Sequence, residues 1–399
     1  MTREEMIELL GNEIVDNIKF GAETADREFV LETAPELRSI LGDGDSRKTI
    51  VNVPPFAVPA EKTVLRTDSR DGLEKEIRSF AEANGAKPEI LAFPNAVFAA
   101  GDNIDDAENA LASLLGATTR NPTASKGRLK GKIALVTGGA RGFGLGIAEE
   151  LADNGASVAL ADLDHSGAEA AAEKLSKRLG RTAAFALKVD ISNEDSVKAM
   201  FEEMAMAVGG VDILVANAGV LKAGPVASFE KRDWDFVTNI NYTGYFLCAK
   251  HAAILMGRQN AAGGPWTDIV QVNSKSGLAG SKRNAAYAGS KFGTIGLTQS
   301  FALELIERQI KVNSVCPGNF FDGPLWSDSE NGLFVQYLRS GKVPGAENID
   351  DVRKHYENMI PMGRGCYPAD VAKAIMYCVE QAYETGQAIP VTGGQVMLN

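Results

Sequence analysis

The sequence contains few of the residues that build metal centres and disulfide frameworks. Only three histidines occur among the 399 residues, all of them after position 164, which argues against a metal centre with several histidine ligands. The cysteines show no CxxC spacing and lie mainly in apolar stretches; they are Cys248, Cys316, Cys366 and Cys378. We therefore predict no metal, and four thiols that are buried and free.

The sequence also lacks the features of membrane-bound and nucleic-acid-binding proteins. No apolar run is long enough to cross a bilayer, and residues 1–8 do not form a basic-then-apolar leader. The formal net charge is −11, with 13 Lys and Arg against 23 Asp and Glu in residues 1–125, and 28 against 29 in the remainder. This acidic excess disfavours nucleic acid and anionic membrane surfaces as partners. We expect a cytoplasmic protein without either partner.

The first part of the chain predicts a small acidic α/β domain. Hydrophobic residues make up 45% of the sequence and charged residues 23%, which is typical of a globular protein. Apolar periodicity predicts helices and strands in alternation; the helices are expected at 2–21, 71–86 and 103–117, and the extended segments at 48–53, ending at Pro54 and Pro55, and at 89–100. A segment of small, polar and basic residues at 118–132 predicts a linker. We therefore place one domain at 1–125 and a second at 126–399, and we interpret the first as a packing or assembly domain.

The second domain has a different pattern. From Lys132 onward, apolar strands, glycine-containing turns and helices alternate, beginning with "IALVTGG" and the helix of "GLGIAEELADNGA". Alternating βα units imply a parallel sheet covered by helices on both faces. The predicted fold is a doubly wound Rossmann domain preceded by the small α/β domain.

A glycine loop at residues 137–144, "TGGARGFG", follows the first strand of this domain and opens a helix. In that context Gly138, Gly142 and Gly144 let the backbone approach a pyrophosphate, and the helix N-terminus supplies free N–H donors. A tight βα turn without a ligand is the alternative interpretation. Asp162, about 20 residues further on at the end of the next strand, favours a dinucleotide because a carboxylate there accepts hydrogen bonds from a ribose diol.

The stretch "SKSGLAGSKRNAAYAGSK" at residues 274–291 combines a tyrosine with a lysine four positions later. On a helix, Tyr287 and Lys291 lie on one face. We expect the ammonium group to lower the pKa of the phenol, which is about 10 when unperturbed, and so to make it a usable base. A half-buried tyrosine with only a packing role is the alternative.

Together these motifs resemble the short-chain dehydrogenase/reductase family. The chain has the TGxxxGxG spacing, followed in order by "NAG" at 217–219, Asn241 in "NINYTG", Ser274, "YAGSK" at 287–291 and "PG" at 317–318. The resemblance covers residues 131–399. It implies that Tyr287 is the acid/base residue, that Ser274 holds the substrate oxygen and that Lys291 lowers the pKa of Tyr287 and binds the nicotinamide ribose. Asn241 is implied to anchor a water that links Lys291 to solvent.

The same resemblance implies a cofactor site and favours NAD as the cofactor. The implied cofactor-binding residues are Gly138, Arg141, Gly142, Phe143, Gly144, Asp162, Asp190, Asn217, Gly219, Tyr287, Lys291, Pro317 and Gly318. Asp162 disfavours the 2′-phosphate of NADP, whereas Arg141 resembles arginines of some NADP-using members. Plain strand-end caps are the alternatives for Asp190 and Asn217. Asp322 stands where the family often has a threonine near the carboxamide.

Within the family, the stretch around the catalytic tyrosine resembles members that act on polyol phosphates, which implies sorbitol 6-phosphate and fructose 6-phosphate as the leading pair. Lys275, Lys282 and Arg283 are candidate phosphate ligands, and an ordinary solvated surface is the alternative. The insert at 319–364 is expected to close over the substrate, and its weaker candidates are Arg339, Lys342, Arg353, Lys354 and His355. Trp326 and the phenylalanines before it, Phe320 and Phe321, are expected either to act at the site, by excluding water or stacking on a sugar face, or to pack in a core.

Residues 89–111 faintly resemble the end of an aldolase domain that is fused to a related dehydrogenase. No histidine precedes His165, so a metal aldolase with the usual histidine ligands is excluded. The sequence thus predicts a homo-oligomeric NAD-dependent dehydrogenase, a dimer or a tetramer. Oxidation of a free polyol or another secondary alcohol is one alternative, and a non-enzymatic NAD(H) sensor is another.

Overall fold

The computed structural model describes residues 3–22, 24–330 and 332–397, so Thr2 of the first predicted helix lies outside the described residues. The helices are α1 (Arg3–Leu10), α2 (Asn12–Asn17), α3 (Arg27–Leu41), α4 (Leu73–Asn84), α5 (Ile104–Leu114), α6 (Gly142–Asp153), α7 (His165–Leu179), α8 (Glu194–Val208), α9 (Lys231–Thr238), α10 (Gly244–Ala261), α11 (Ala285–Leu305), α12 (Pro324–Ser327), α13 (Leu333–Arg339), α14 (Ile349–Asn358) and α15 (Pro368–Glu380). The strands are β1 (Thr49–Val53), β2 (Val64–Arg66), β3 (Ile90–Ala92), β4 (Val97–Gly101), β5 (Ile133–Thr137), β6 (Ser157–Asp162), β7 (Ala184–Lys188), β8 (Ile213–Ala216), β9 (Thr267–Val272), β10 (Ile310–Pro317) and β11 (Ala388–Val391).

The first sheet has four strands in the order β1-β4-β3-β2. Strand β4 pairs antiparallel with both β1 and β3, whereas β2 and β3 are parallel. Side chains alternate between its faces, so Val51 and Val97 pack with α1 and α5 while Ile50 and Phe98 pack with α3 and α4. Helices therefore cover both faces of this small sheet.

Two details of this first region differ from the sequence-based prediction. The predicted helix at 2–21 is divided into α1 and α2, because Gly11 has φ +88° and interrupts the helical path. The single extended stretch predicted at 89–100 is a hairpin, β3 and β4, whose turn is closed by the Phe93 N–H donating to the Ala96 carbonyl at 2.9 Å.

The second sheet has seven parallel strands in the order β11-β10-β9-β8-β5-β6-β7. Its central strands β5, β8, β9 and β10 are completely buried, as expected when helices pack on both faces. From β5 the chain runs outward to β7 and then returns to β8 on the other side. Ligands of open α/β sheets bind at the carboxyl ends of the strands at such a reversal. The predicted Rossmann domain preceded by a small α/β region is confirmed.

The region before the linker packs against the opposite, amino-terminal edge of this sheet. Helix α3 lies against α8 and α10, and its Arg38 forms a fully buried ion pair with Asp212, just before β8, at 2.8 Å. Arg47 reaches the other oxygen of Asp212 at 3.3 Å. The Asp212 carboxylate also accepts the Ile133 N–H at 2.8 Å. This contact surface is thus remote from the carboxyl edge where a ligand is expected.

The insert between β10 and α15 forms a small core of its own. Trp326 is buried and lies 5.1 Å from the Phe321 ring centroid and 5.7 Å from that of Tyr337. Of the two roles expected for Trp326, its contacts are those of core packing. All four cysteines are buried and free, as predicted. Within the described ranges, no helix is both long and apolar enough to span a membrane.

Candidate active site

The glycine loop connects β5 to α6 at the reversal point of the large sheet. Gly138 and Gly142 have φ angles of +66° and +62°, in the left-handed region that favours glycine. A Cβ atom on Gly144 would lie 1.9 Å from the Gly138 carbonyl oxygen, so only glycine lets α6 begin this close to the loop. Such a cradle, with free N–H groups at the start of α6, fits the pyrophosphate of a dinucleotide.

Asp162 lies at the carboxyl end of β6, beside this loop. One of its carboxylate oxygens accepts the Ala140 N–H at 3.0 Å and the other accepts the Asp164 N–H at 3.0 Å. The side chain is half-buried, while Arg141 and Leu163 are exposed. Asp162 is therefore fixed at the mouth of the glycine loop, where an adenosine ribose of a dinucleotide is expected.

Asn217 joins the end of β8 to the glycine loop. Its Nδ2 donates to the carbonyls of Thr137 and Gly138 at 2.9 and 3.3 Å. The Thr137 hydroxyl in turn accepts the N–H groups of Asn217 and Ala218 at 3.0 and 3.1 Å. These are the contacts of a strand-end cap. Sequence reasoning overlooked Thr137, although it is the first residue of the "TGG" motif.

Asp190 and Gly219 are exposed at the same edge of the sheet. The Asp190 carboxylate accepts the N–H and the hydroxyl of Ser192 at 2.9 and 2.6 Å, which is the pattern of a local turn. Gly219 is adjacent to Asn241, whose Oδ1 would lie 3.2 Å from a Cβ on this glycine. Both residues lie at the carboxyl edge of the large sheet, but neither makes a contact that identifies a ligand.

Pro317 and Gly318 end β10 on the other side of the cleft. The Gly318 N–H donates to the Val391 carbonyl at 2.9 Å, which joins this turn to β11. Asp322 forms an ion pair with Arg353 of α14 at 2.7 Å, so its carboxylate is paired with another residue of the insert. The Phe143 ring of the glycine loop lies 4.8 Å from that of Phe320. Phe320 is one of the phenylalanines before Trp326 that the sequence analysis named, and it packs here against the glycine loop.

Ser274 and Tyr287 are brought together by the turn after β9 and the first turn of α11. The Ser274 hydroxyl accepts the Ser276 N–H at 3.1 Å, which fixes this side chain at the start of a short 3₁₀ turn. Burial raises the pKa of Tyr287, and a polar interaction with the Ser274 side chain opposes the rise. The two hydroxyl groups predicted to face the substrate are therefore neighbours.

Lys291 lies one helical turn from Tyr287, as expected, but its charge does not act as predicted. Its ammonium group donates to the Val272 carbonyl at 2.9 Å and is 5.8 Å from the centroid of the Tyr287 ring. Burial lowers the pKa of Lys291 to about 8. The expected lowering of the Tyr287 pKa is wrong for this structure, because the ammonium group is directed at a carbonyl and burial of the phenol dominates.

Asn241 lies in a π-helical turn, residues Asn239–Thr243, between α9 and α10. Its side-chain amide accepts the Val220 N–H at 2.8 Å and donates to the Val220 carbonyl at 2.9 Å. Asn241 and Lys291 both line a cavity of about 10 Å³, which is about the volume that one water molecule needs. π-Helical turns are frequent at functional sites, and this one aligns an amide with the buried lysine.

The three predicted phosphate ligands lie on the two chain segments that carry Ser274 and Tyr287. Lys275 directly follows Ser274 and is half-buried, and Lys282 and Arg283 are exposed in the loop before α11. Arg283 has a φ of +64°, which is uncommon for a residue other than glycine. Among the weaker candidates, Arg353 pairs with Asp322 and Glu357, and Arg339 donates to the Glu330 carbonyl at 3.2 Å.

Comparison with known proteins agrees with this geometry. A family model described as short chain dehydrogenase matches residues 132–330. The chain is 37% identical over 269 residues to sorbitol-6-phosphate 2-dehydrogenase of Escherichia coli (strain K12), an alignment that covers 67% of this chain and 99% of that protein. It is 33% identical over 269 residues to a 3-oxoacyl-acyl-carrier-protein reductase of Aquifex aeolicus (strain VF5), covering 67% of this chain and 98% of the reductase.

Solved structures give the same result. Sorbitol-6-phosphate 2-dehydrogenase from Erwinia amylovora aligns with a TM-score of 0.61 and 39% identity, over 66% of this chain and all of that chain. The active-site complex of Pseudomonas aeruginosa RhlG with NADP aligns with a TM-score of 0.57 and 28% identity, over 69% of this chain and 99% of that chain. The chain belongs to the short-chain dehydrogenase/reductase family and is an oxidoreductase. Members of this family use a nicotinamide dinucleotide, NAD or NADP.

Proposed function

We propose that residues 126–399 form a NAD-dependent dehydrogenase that interconverts a polyol phosphate and a ketose phosphate, with sorbitol 6-phosphate and fructose 6-phosphate as the leading pair. The observation that carries the proposal is the placement of three cations on the segments that hold Ser274 and Tyr287, since Lys275 directly follows Ser274 and Lys282 and Arg283 lie in the loop before α11. The sorbitol-6-phosphate 2-dehydrogenases of Escherichia coli and Erwinia amylovora, to which the chain is similar, support the same substrate class.

The cofactor is held by the carboxyl edge of the large sheet. In this proposal the glycine loop and the N-terminus of α6 bind the pyrophosphate, Asp162 binds the adenosine ribose, and Asp190 contacts the adenine. Asn217, Gly219 and the Pro317–Gly318 turn border the nicotinamide half. When bound, the nicotinamide ring accepts a hydride from the alcohol carbon.

The proton leaves through the protein. Ser274 orients the substrate hydroxyl, and Tyr287 takes its proton as the general base. Lys291, whose ammonium group donates to the Val272 carbonyl at 2.9 Å, would bind the nicotinamide ribose. The cavity between Lys291 and Asn241 has room for one water, which passes the proton on. Asn241 thus acts by positioning that water.

We propose NAD rather than NADP because the Asp162 carboxylate stands at the mouth of the loop, where it repels a 2′-phosphate. Exposed Arg141 would favour NADP. In the described part of the chain, however, its side chain forms no salt bridge that fixes its orientation. We expect Asp162→Ala to narrow the preference for NAD over NADP, measured as the ratio of the two kcat/KM values. A wild-type enzyme that works better with NADP at equal concentration would show that Arg141 outweighs Asp162.

The proposed substrate class is tested with a panel of compounds assayed by NADH absorbance. The panel contains sorbitol 6-phosphate, free sorbitol, other phosphorylated polyols and, in the reducing direction, a 3-oxoacyl thioester. We expect the phosphorylated polyols to be the best substrates. Preference for a free polyol would replace the proposal by the free-alcohol alternative. Binding of NADH without turnover of any compound would favour a sensor.

For residues 1–125 we propose a packing role. Arg38 and Arg47 from this region neutralise Asp212, and Asp105 accepts the N–H and hydroxyl of Thr182 at 2.9 and 2.6 Å. These contacts lie away from the glycine loop and from Tyr287. The proposed role is therefore to stabilise the sheet from its amino-terminal edge.

We also propose a homo-oligomer, either a dimer or a tetramer. Large apolar side chains are exposed on α10 and α11, among them Phe246 (42%), Ile254 (44%), Phe292 (47%) and Leu303 (81%). Exposed apolar surface of this kind is typical of an interface. Sedimentation velocity measures the assembly directly, and a pure monomer would contradict this proposal.

A further inference from the structure

The insert contributes a fourth cation to the group formed by Lys275, Lys282 and Arg283. Lys342 follows α13, is half-buried, and its ammonium group lies 3.7 Å from the centroid of the Tyr337 ring. Tyr337 is buried in the core of the insert, and it is close enough to Tyr287 to contribute to the raised pKa of that residue. Lys342 is thus held near the reaction centre by a rigid support.

The four residues Lys275, Lys282, Arg283 and Lys342 form what we call the cation cluster. Burial and, to a smaller extent, the positive charges of Lys275, Arg283 and Lys282 together lower the pKa of Lys342 to about 8. Burial also lowers the pKa of Lys275. Within the described residues, no carboxylate forms an ion pair with any member of the cluster. Four like charges converge here, in a chain of net charge −11.

The backbone supports the same interpretation. Arg283 keeps a left-handed φ of +64°, and its carbonyl accepts the Gly224 N–H at 2.8 Å. For a residue other than glycine, this conformation costs about 1–3 kcal/mol and tends to occur at functional sites. The loop that carries Lys282 and Arg283 is therefore held in this conformation at an energetic cost.

We propose that Lys342 is a substrate-phosphate ligand that closes the cation cluster from the side of the insert and makes the site specific for phosphorylated polyols. This inference rests on the proposed function. A phosphate monoester carries nearly two negative charges at pH 7, and its three oxygens can bond to cations from two sides. Lys275, Lys282 and Arg283 bind the phosphate on one side. Lys342 binds it on the other side, so that the insert covers the substrate.

The first test measures binding and turnover in Lys342→Met, which removes the charge but keeps much of the side-chain length. We expect the KM for sorbitol 6-phosphate to rise about tenfold or more, the effect of losing one hydrogen bond to a charged group. The KM for free sorbitol and the dissociation constant for NADH should stay within about twofold of the wild-type values. Lys177→Met is the matched control, because Lys177 is exposed on α7, outside the insert and the proposed site, and it should leave all three values unchanged.

The second test uses the pH dependence of inorganic phosphate as a competitive inhibitor against sorbitol 6-phosphate. The titratable groups near Lys342 are Lys275, Lys282, Arg283 and Tyr337. None of them carries a negative charge at neutral pH. Because its pKa is lowered to about 8, Lys342 loses its charge as the pH rises through that value. Inhibition by phosphate should therefore weaken above about pH 8. Lys342→Arg remains charged over this pH range, so phosphate should still inhibit this variant above pH 8. Its inhibition should therefore change less with pH than that of the wild type.

The outcomes separate the two levels of inference. If the wild type prefers sorbitol 6-phosphate but Lys342→Met changes its KM by less than about twofold, the role of Lys342 is contradicted and the proposed function stands. If the wild type uses free sorbitol equally well and phosphate does not inhibit, the proposed function itself fails. Should Lys342→Met not fold, as judged by circular dichroism, the wild-type pH dependence and Lys342→Arg still decide. Inhibition that is unchanged between pH 7 and pH 9.5 would then overturn the proposal.

Discussion

Among single residues, Tyr287 is the one whose chemistry the account depends on most. Its pKa is raised by burial, so a smaller fraction of this phenol is ionised at neutral pH than in an exposed tyrosine. The neighbouring Lys291 ammonium is directed at Val272. A sequence motif can place two side chains on one helical face, but it cannot give the direction of the ammonium group, which depends on a carbonyl from β9.

Tyr287→Phe removes only the hydroxyl group. We expect turnover to fall by about 10²–10⁴-fold, the usual contribution of a general acid or base, while NADH binding stays within about twofold. Steady-state kinetics and a fluorescence titration with NADH measure the two effects. Near-normal turnover in this variant would contradict the assigned role of Tyr287.

The cation cluster shows another limit of sequence analysis at this scale. Lys275, Lys282 and Arg283 lie within ten residues of one another, so their grouping was visible from the sequence. Lys342 is about 60 positions further on. It could not be separated from Arg339 and Arg353 until their partners were known. The structure separates them because Arg339 and Arg353 bond to oxygen acceptors of the insert, whereas Lys342 lies over the Tyr337 ring.

At the scale of elements, the strand–glycine–helix unit of β5 and α6 was the most predictable part of the fold. The backbone conformation and the close packing of this unit require glycine, and the TGxxxGxG motif marks the positions of those glycines. The helix α3 was not predicted, because Pro35 lies within it and proline usually marks the end of a helix. The interruption at Gly11 was also missed, since glycine is tolerated in helices at a modest cost.

Gly144→Ala tests the proposed packing of α6 against the loop. The added Cβ would meet the Gly138 carbonyl at 1.9 Å and the Asn217 amide nitrogen at 2.6 Å, so the loop must shift. A displacement of about 1 Å near a reacting centre can reduce kcat/KM by about 100-fold. We also expect the dissociation constant for NADH to rise, which fluorescence titration measures.

The control for this variant is Gly296→Ala in the interior of α11. A Cβ at Gly296 meets no atom within 4 Å, so the substitution should leave NADH binding unchanged. It should also stabilise the helix by up to about 1 kcal/mol. Equal behaviour of the two variants would show that the close contact at Gly144 is unimportant.

At the scale of the whole molecule, the two sheets are joined by buried charges. Although burial opposes it, the charges of Arg38, Lys132 and Arg47 hold the pKa of Asp212 below its ordinary value. The sequence indicated two regions but not this contact, because Arg38 and Asp212 are 174 positions apart. Long-range pairs of this kind leave no local pattern in a sequence.

Asp212→Asn tests the contact between the two regions. Breaking a buried ion pair from one side typically costs about 3–5 kcal/mol, so the urea midpoint should fall clearly at pH 7. The folded-state pKa is lowered, so the stabilisation is present above the unfolded value of about 3.9 and is lost as the pH falls through and below it. The difference between wild type and variant should therefore shrink on acidification.

Asp153→Asn is the matched control, because Asp153 pairs with Arg178 on the surface at 2.7 Å. Exposed pairs contribute about 0–1 kcal/mol, so this variant should unfold near the wild-type midpoint. A chain beginning at Ser125 should be destabilised like Asp212→Asn but should keep its kcat/KM within a few-fold. Loss of chemistry in a folded truncated chain would show that residues 1–125 contribute to the site.

The most direct measurement of the central claim is the ratio of kcat/KM for sorbitol 6-phosphate to that for free sorbitol, with NAD as the cofactor. The two substrates present the same secondary alcohol to Ser274 and Tyr287 and differ in the phosphate alone. If the cation cluster binds that phosphate, the ratio should be about ten or more, since one charged hydrogen bond corresponds to about that factor. A ratio near or below one would contradict the account.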